Sequence, residues 1–367
     1  MKKLTPKSEI LTSKHSTNKI LVAPLNWGLG HAARCIPVIN ALIQNKYIPI
    51  IASDGDALKL LRKEFPELKY YELPSYNITY TKNGNNLKYR MLLNAPNIIR
   101  AATKEKIVVG EIIDKEGVSG IISDNRFGVR SKKVPSIYLT HQLKVLSANT
   151  SFISSLFHQR IIAKFDSCWV PDYNDNKSLA GKLSNLENSK IDIKYLGSIS
   201  RFSYKKIPKK YDLLVVLSGP EPQRTILEKI LLAELEYCDK SVLFVRGIIS
   251  EKQEVNQLKN IRIVNYMLLK ELQKEINESE LVLARSGYST IMDLDKLRAK
   301  AFFIPTPGQF EQEYLAKYLE RKKIAPYANQ NNFKIEMIYN LKHYTGFGKK
   351  ETKSKIDFKT LFDLYFS

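Results

Sequence analysis

From Lys19 onward, short apolar runs alternate with longer stretches whose apolar positions recur at helical spacing. The runs at 20–23, 48–52, 120–123, 136–139 and 168–170 are expected to be strands. Between them the pattern predicts a helix ending near Leu42, a short one over 56–63, a long helical region over 87–113 and another over 152–164. Pro96 is expected to kink or divide the long one. The rhythm stops near Leu196, where a basic stretch containing Pro208 reads as a linker, and then resumes. Strands are expected at 213–217, 242–245, 261–264, 280–284 and 301–304, with a helix starting at Pro222. Two such series predict an α/β protein of two facing Rossmann-like domains. The divisions are 1–18 as a flexible segment, 19–200, a linker at 201–210, 211–340, and a basic tail at 341–367. In that tail Phe358, Leu361, Phe362 and Tyr365 keep helical spacing, so a last helix is expected to pack back on one domain.

With 367 residues, 44% of them hydrophobic, the chain can bury two cores. Cys35, Cys168 and Cys238 lie far apart, without disulfide or metal-ligand spacing, and suggest a reducing compartment. The first residues lack the apolar core of a signal peptide, and no run reaches membrane-spanning length, so a cytoplasmic location is expected. A net charge of +21 could draw nucleic acid, an anionic membrane or phosphorylated ligands. The lysines are scattered rather than massed and form no aromatic-basic nucleic-acid signature, which argues against nucleic acid, and a lysine-rich proteome would give the same number.

The first strand runs into Asn26-Trp27-Gly28-Leu29-Gly30-His31-Ala32-Ala33-Arg34. Gly28 and Gly30 permit a sharp turn and close approach to a ligand. His31 follows at a helix start on the sheet edge, where an imidazole can take a proton from a hydroxyl. A plain helix-terminus histidine is the alternative. The same glycines with Ala33 also satisfy a dinucleotide fingerprint, with Asp54 where a ribose-binding acid belongs. That would make an NAD(P)-dependent oxidoreductase. A basic, non-enzymatic nucleic-acid-binding protein is the other option.

In the second half, two strand-to-helix turns place polar groups at one sheet edge: Arg285-Ser286-Gly287, and Pro305-Thr306-Pro307-Gly308 with Gln309, Glu311 and Gln312. Free N–H groups at such helix starts bind phosphate. Asp293 can accept from ribose hydroxyls, or can close a capping box with Thr290. Ser218 and Gly219 can offer backbone N–H groups. Arg224, in a first helical turn where a cation opposes the helix dipole, suggests a bound diphosphate or simple solvent exposure. The D-x-D patterns at Asp54 and Asp293 read as a cap and a helix rather than metal sites, and no metal is expected. His141 is open between packing and acceptor contact. The stripe from Phe152 to Phe165 reads as core, and basic residues interleave with apolar ones over 87–113, as in a membrane-facing or a solvated amphipathic helix.

The loop G-x-G-H-x-x-R, the paired domains, RSGYSTIMD and PGQFEQEYLA together resemble the family 28-type glycosyltransferases of the GT-B fold, among them the peptidoglycan N-acetylglucosaminyltransferases. The likeness covers 19–330. It implies inverting transfer of N-acetylglucosamine or a related hexose from a nucleoside diphosphate, UDP by resemblance, without metal or cofactor. Asp293 would hold the ribose, and Gln309, Glu311 and Gln312 would face the donor sugar. Arg285, Ser286 and Gly287 would line the diphosphate pocket, Thr290 would be among the donor-binding residues, Met267 would edge the base, and His31 would be the catalytic base. Family acceptor motifs are not reproduced. Asp124, Asn125 and His141 stand at those strand ends with Gly28 and Gly30, which leaves the acceptor open, a lipid-linked one and an anionic membrane surface included.

Overall fold

The computed structural model describes residues 18–27, 29–76, 87–145, 151–175, 177–186, 189–348 and 357–367, without the side chains of 87–96, 151–154 and 340. Gly28 and nearly all of the expected N-terminal segment lie outside the described residues, as does part of the basic tail.

The first sheet contains β1 (Lys19–Pro24), β2 (Ile48–Ser53), β3 (Tyr70–Glu72), β4 (Gly120–Asp124), β5 (Ser136–Leu139), β6 (Ser167–Val170) and β7 (Ile193–Tyr195). All are parallel, in the order β3-β2-β1-β4-β5-β6-β7. The helices are α1 (Gly30–Gln44), α2 (Gly55–Glu64), α3 (Leu87–Glu116) and α4 (Ser151–Ile162). Alternate residues of β1 face opposite layers. Ile20 and Val22 pack with Ile36, Ile39 and Leu42 of α1, while Leu21 and Ala23 pack with Val109 and Ile112 of α3. Burial on both faces is why these strands read as continuous apolar runs.

The second sheet contains β8 (Tyr211–Val216), β9 (Val242–Val245), β10 (Val255–Leu258), β11 (Ile261–Val264), β12 (Ser279–Ala284) and β13 (Ala301–Phe303), in the order β10-β11-β9-β8-β12-β13. Only β10 runs antiparallel. Its helices are α5 (Gln223–Leu235), α6 (Leu269–Asn277), α7 (Tyr288–Lys296) and α8 (Phe310–Arg321). The final helix, α9 (Phe358–Phe366), lies on the first sheet, where Phe362 meets Tyr47 at 5.5 Å and Trp169 at 6.1 Å between ring centroids.

Each sheet reverses direction once beside its first strand: β1/β4 in one, β8/β12 in the other. Ligands of open α/β sheets bind at such points, outside the carboxyl ends of the strands. The first reversal brings the loop before His31 beside Asp124, the last residue of β4; the second brings the loops after β8 and β12 together.

Several elements depart from the expectation, among them α6, which was not expected. The α3 helix runs through Pro96 without being divided there. The strands β3, β7 and β10 were not expected, because each is short and lies at a sheet edge with no buried residue to mark it. Among the described residues no helix is long and apolar enough to cross a membrane.

Candidate active site

His31 occupies the first turn of α1, and its Nδ1 lies 2.8 Å from Asp124 Oδ1. Asp124 is fully buried; Arg34 Nε donates to its Oδ2 at 2.8 Å, and Arg34 Nη2 donates to Oδ1. Burial alone would raise this carboxyl, but Arg34 and His31 hold it well below the usual carboxylate range. A proton on His31 Nδ1 can be donated to an ionised Asp124, and Nε2 is then an acceptor in the cleft. Asp124 is thus not the acceptor-side contact expected of it; it stands behind the histidine. Asn125 does line the cleft, with a φ of 58° that suits a short polar side chain.

At Gly30 the two domains touch. Ser289 Oγ of α7 donates to the Gly30 carbonyl at 2.9 Å, and a Cβ on Gly30 would sit 3.2 Å from that hydroxyl. Helices α1 and α7 therefore meet N-terminus to N-terminus across a cleft of about 940 Å³. On the second domain the cleft is lined by Ser218, Gly219, Met267, Gly287, Thr290, Asp293 and Gln309. Neither α7, capped by Gly287, nor α8, capped by Gln309, has a side-chain N-cap bond, so both starts can direct N–H groups at an anion. Gly219, at φ 101°, makes a turn that other residues rarely adopt.

Asp293 lies in the second turn of α7 with its carboxylate in the cleft, and no capping box forms with Thr290. Burial pushes its carboxyl up to about 6, against the opposing pull of Arg201 and Ser200. Ser200 donates to Oδ1 at 2.5 Å, and Arg201 Nε lies 3.8 Å from Oδ2. These two residues stand at the start of the expected linker and were not anticipated, since a basic connecting stretch carries no signal of a site.

Three residues expected at the diphosphate are elsewhere. Arg285 is buried and absent from the cleft wall; it donates to the carbonyls of Ile304 (3.1 Å), Pro305 (3.0 Å) and Gln223 (3.0 Å) and to Gln330 Oε1 (2.6 Å). Burial brings its guanidinium down to about 9, so it remains a cation holding loops together. Ser286 is buried and ties its loop to α8 by donating to the Gln312 carbonyl at 2.8 Å. Arg224 is held by Glu221 and Glu228, so the anions that satisfy this first-turn cation are the protein's own carboxylates.

The donor-sugar set is also modified. Gln309 lines the cleft, whereas the side-chain oxygen of Gln312 is taken by the Thr306 N–H at 2.8 Å. Glu311 reaches across the cleft: its Oε1 lies 2.9 Å from His141 Nε2, and Gln142 Nε2 donates to Oε2. Burial would raise the Glu311 carboxyl, but His141 keeps it low. His141 stacks on Tyr288, with centroids 4.1 Å apart and planes at 18°. It therefore bridges the domains and packs against the second one. Arg34, three residues after His31 on the same helix face, was in view in the motif without a role. Its spacing is the signal that could have assigned one.

The dinucleotide reading fails at Asp54. Arg126 Nη1 donates to its Oδ1 at 2.6 Å and Asn26 Nδ2 to its Oδ2 at 3.2 Å, within a buried network that leaves it unavailable to a ribose.

The part of the wall from α3, α4 and their neighbours carries the apolar Ile98, Phe127, Val145, Phe157 and Ile161, edged by Lys106, Arg130 and Lys164, and the second domain adds apolar lining of its own at Leu217, Ile249 and Leu272. His31 thus stands in a cleft lined by both domains.

Comparison with known proteins bears on the fold and the class of protein. Residues 213–358 match the glycosyltransferase family 28 C-terminal domain. An uncharacterized glycosyltransferase of Methanopyrus kandleri is 22% identical over 289 residues, 73% of this chain and 80% of that one. The Acinetobacter baumannii MurG structure superposes with a TM-score of 0.52 at 13% identity, covering 95% and 98% of the two chains. Phytolacca americana UGT2, solved with UDP-2-fluoro-glucose and pterostilbene, gives 0.56 at 12% identity over 85% of each. The fold is that of the GT-B glycosyltransferases. Residues 213–358 are similar to that family domain, and the chain is a glycosyltransferase.

Proposed function

We propose that the protein is an inverting, metal-independent transferase. It moves N-acetylglucosamine or a related hexose from a nucleoside diphosphate, UDP in the first instance, to the hydroxyl of an acceptor with an apolar portion. The observation that carries this is the His31–Asp124 pair on one side of the cleft, facing Asp293 and two uncapped helix starts on the other. His31 Nε2 takes the acceptor proton as the oxygen attacks the anomeric carbon, and the proton on Nδ1 stays shared with Asp124. The diphosphate leaves onto the N–H groups of α7 and α8 and the Ser218–Gly219 turn, which stabilise its developing charge. Asp293 holds the ribose in place of Ser200. The relative solved with UDP-2-fluoro-glucose supports UDP as the first nucleotide to try. Among the described residues no group of three or more His, Cys, Asp or Glu could hold a metal ion.

The apolar wall points to an acceptor with a hydrocarbon part, a lipid-linked one included. Beside it Ile99, Ile107, Leu156 and Phe157 are exposed, among exposed Arg100, Lys104 and Arg160. That surface suits peripheral binding to an anionic, cytoplasmic membrane face. Sedimentation with anionic vesicles that fades with salt supports it, and no binding to anionic vesicles removes it. Calorimetry with UDP, GDP, TDP and NAD tests the donor reading: a nucleoside diphosphate should bind and NAD should not. Tight NAD binding without nucleoside diphosphate binding would overturn it.

A further inference from the structure

Arg34 Nη2 lies 2.8 Å from His31 Nδ1, the same nitrogen that faces Asp124 at 2.8 Å. A neutral imidazole nitrogen either donates or accepts, so the two neighbours compete. If Nδ1 donates to Asp124, Nε2 carries a lone pair into the cleft and His31 can act as a base. If Arg34 donates to Nδ1, the proton sits on Nε2 and His31 cannot.

The competition is decided by what holds Arg34. Its Nε and Nη2 donate to the two oxygens of Asp124, and Nη1 lies 2.9 Å from His141 Nδ1. A guanidinium only donates, so His141 Nδ1 must accept and its proton must sit on Nε2. That proton points at Glu311 Oε1, 2.9 Å away on the other domain. The hydrogen-bonded chain is therefore continuous: Glu311, His141, Arg34, Asp124, His31. Glu311 accepts from His141, His141 Nδ1 accepts from Arg34, and Arg34 is thereby held on Asp124, the partner of His31.

We propose that Arg34 and His141 are positioning residues through which Glu311 of the second domain sets His31 of the first in its proton-accepting tautomer. The base is then competent only when the domains meet across the cleft. This rests on the reading of His31 as the base, but its test needs no substrate. Besides Asp124 and Glu311, the charged and titratable groups around the chain are Arg34 itself, Cys35, whose thiol lies 3.6 Å from Asp124 Oδ2, Tyr288, stacked on His141, and the buried Tyr138 and His158.

The test is the nitrogen-15 chemical shift of the histidine side chains, with His31 assigned by its loss in His31→Gln. In the unaltered protein His31 should show the Nδ1–H tautomer and His141 the Nε2–H tautomer. His141→Phe keeps the ring stacked on Tyr288 but removes the acceptor for Arg34. His31 should then move towards the Nε2–H tautomer. His141→Asn restores an oxygen near the position of Nδ1 and should return His31 to Nδ1–H. An unchanged His31 tautomer in a folded His141→Phe protein overturns the proposal, as does an unaltered protein whose His31 already carries the proton on Nε2. A failure of donor binding or turnover alone would count against the transferase reading and leave these shifts as they are. Where turnover can be followed, His141→Phe should lower kcat at least tenfold with donor KM unchanged, and an equal rise in KM would overturn the proposal.

Discussion

Ser200 Oγ donates to Asp293 Oδ1 at 2.5 Å, so the segment entering the interdomain linker occupies the carboxylate assigned to the ribose. A bound nucleotide must displace that hydroxyl, and the linker and donor site are thereby connected.

Burial pushes the Asp293 carboxyl up to about 6, while ribose hydroxyls bind best to the ionised form. Nucleotide affinity should strengthen as pH rises through about 6 and level off above it. Asp293→Asn should weaken binding about 10- to 100-fold at pH 7.5, the worth of a hydrogen bond to a charged group, and should flatten the pH dependence. Calorimetry with UDP between pH 5 and 8 measures both.

Arg285 distinguishes a structural from a catalytic cation. Arg285→Ala strands three buried carbonyls and the Gln330 oxygen, and should cost about 3 kcal/mol or more of stability in urea unfolding. The protein that remains folded should bind UDP with nearly unchanged affinity. A large loss of UDP binding without a loss of stability would return Arg285 to the diphosphate.

That residue shows where the sequence was legible and where it was not. The alternation of apolar runs carried both sheets, because parallel strands buried on two faces are marked continuously, as Ile20 to Ala23 are. Edge strands such as β10, exposed throughout, carry no such mark. Motif position placed His31, Asp293 and Gln309 in the cleft, since each follows directly from a strand end. It could not show which way a side chain turns. Arg285 points inward to orphan carbonyls, Arg224 to its own carboxylates, and Glu311 across to His141. Those choices depend on partners distant in the chain. The buried pairing of Asp54 with Arg126, which removed the dinucleotide alternative, spans 72 positions.

His158 is buried between Phe127 and Tyr138 with Nε2 unpartnered, and burial lowers its imidazole from 6.5 to about 4. The unfolded chain therefore binds the proton first. The wild-type fold should keep its full stability above about pH 6.5 and lose about 3 kcal/mol through this group as pH falls to about 4. His141, lowered by burial as well, adds in the same direction, and Asp293 opposes it. Because those two groups are common to both proteins, the difference between wild type and His158→Phe isolates the effect. Urea unfolding should show the variant gaining relative to wild type over that window, and a constant difference would contradict the assignment.

The central claim, that His31 activates an attacking oxygen in an inverting transfer, is tested most directly without knowing the acceptor. Water can take the acceptor's place in slow hydrolysis of a UDP-α-hexose, and proton NMR reads which anomer is released first. The account predicts the β-hexose first, with the rate falling about 10²- to 10⁴-fold in His31→Ala while UDP affinity stays nearly unchanged. Release of the α-hexose first, or a hydrolysis rate indifferent to His31, would contradict it.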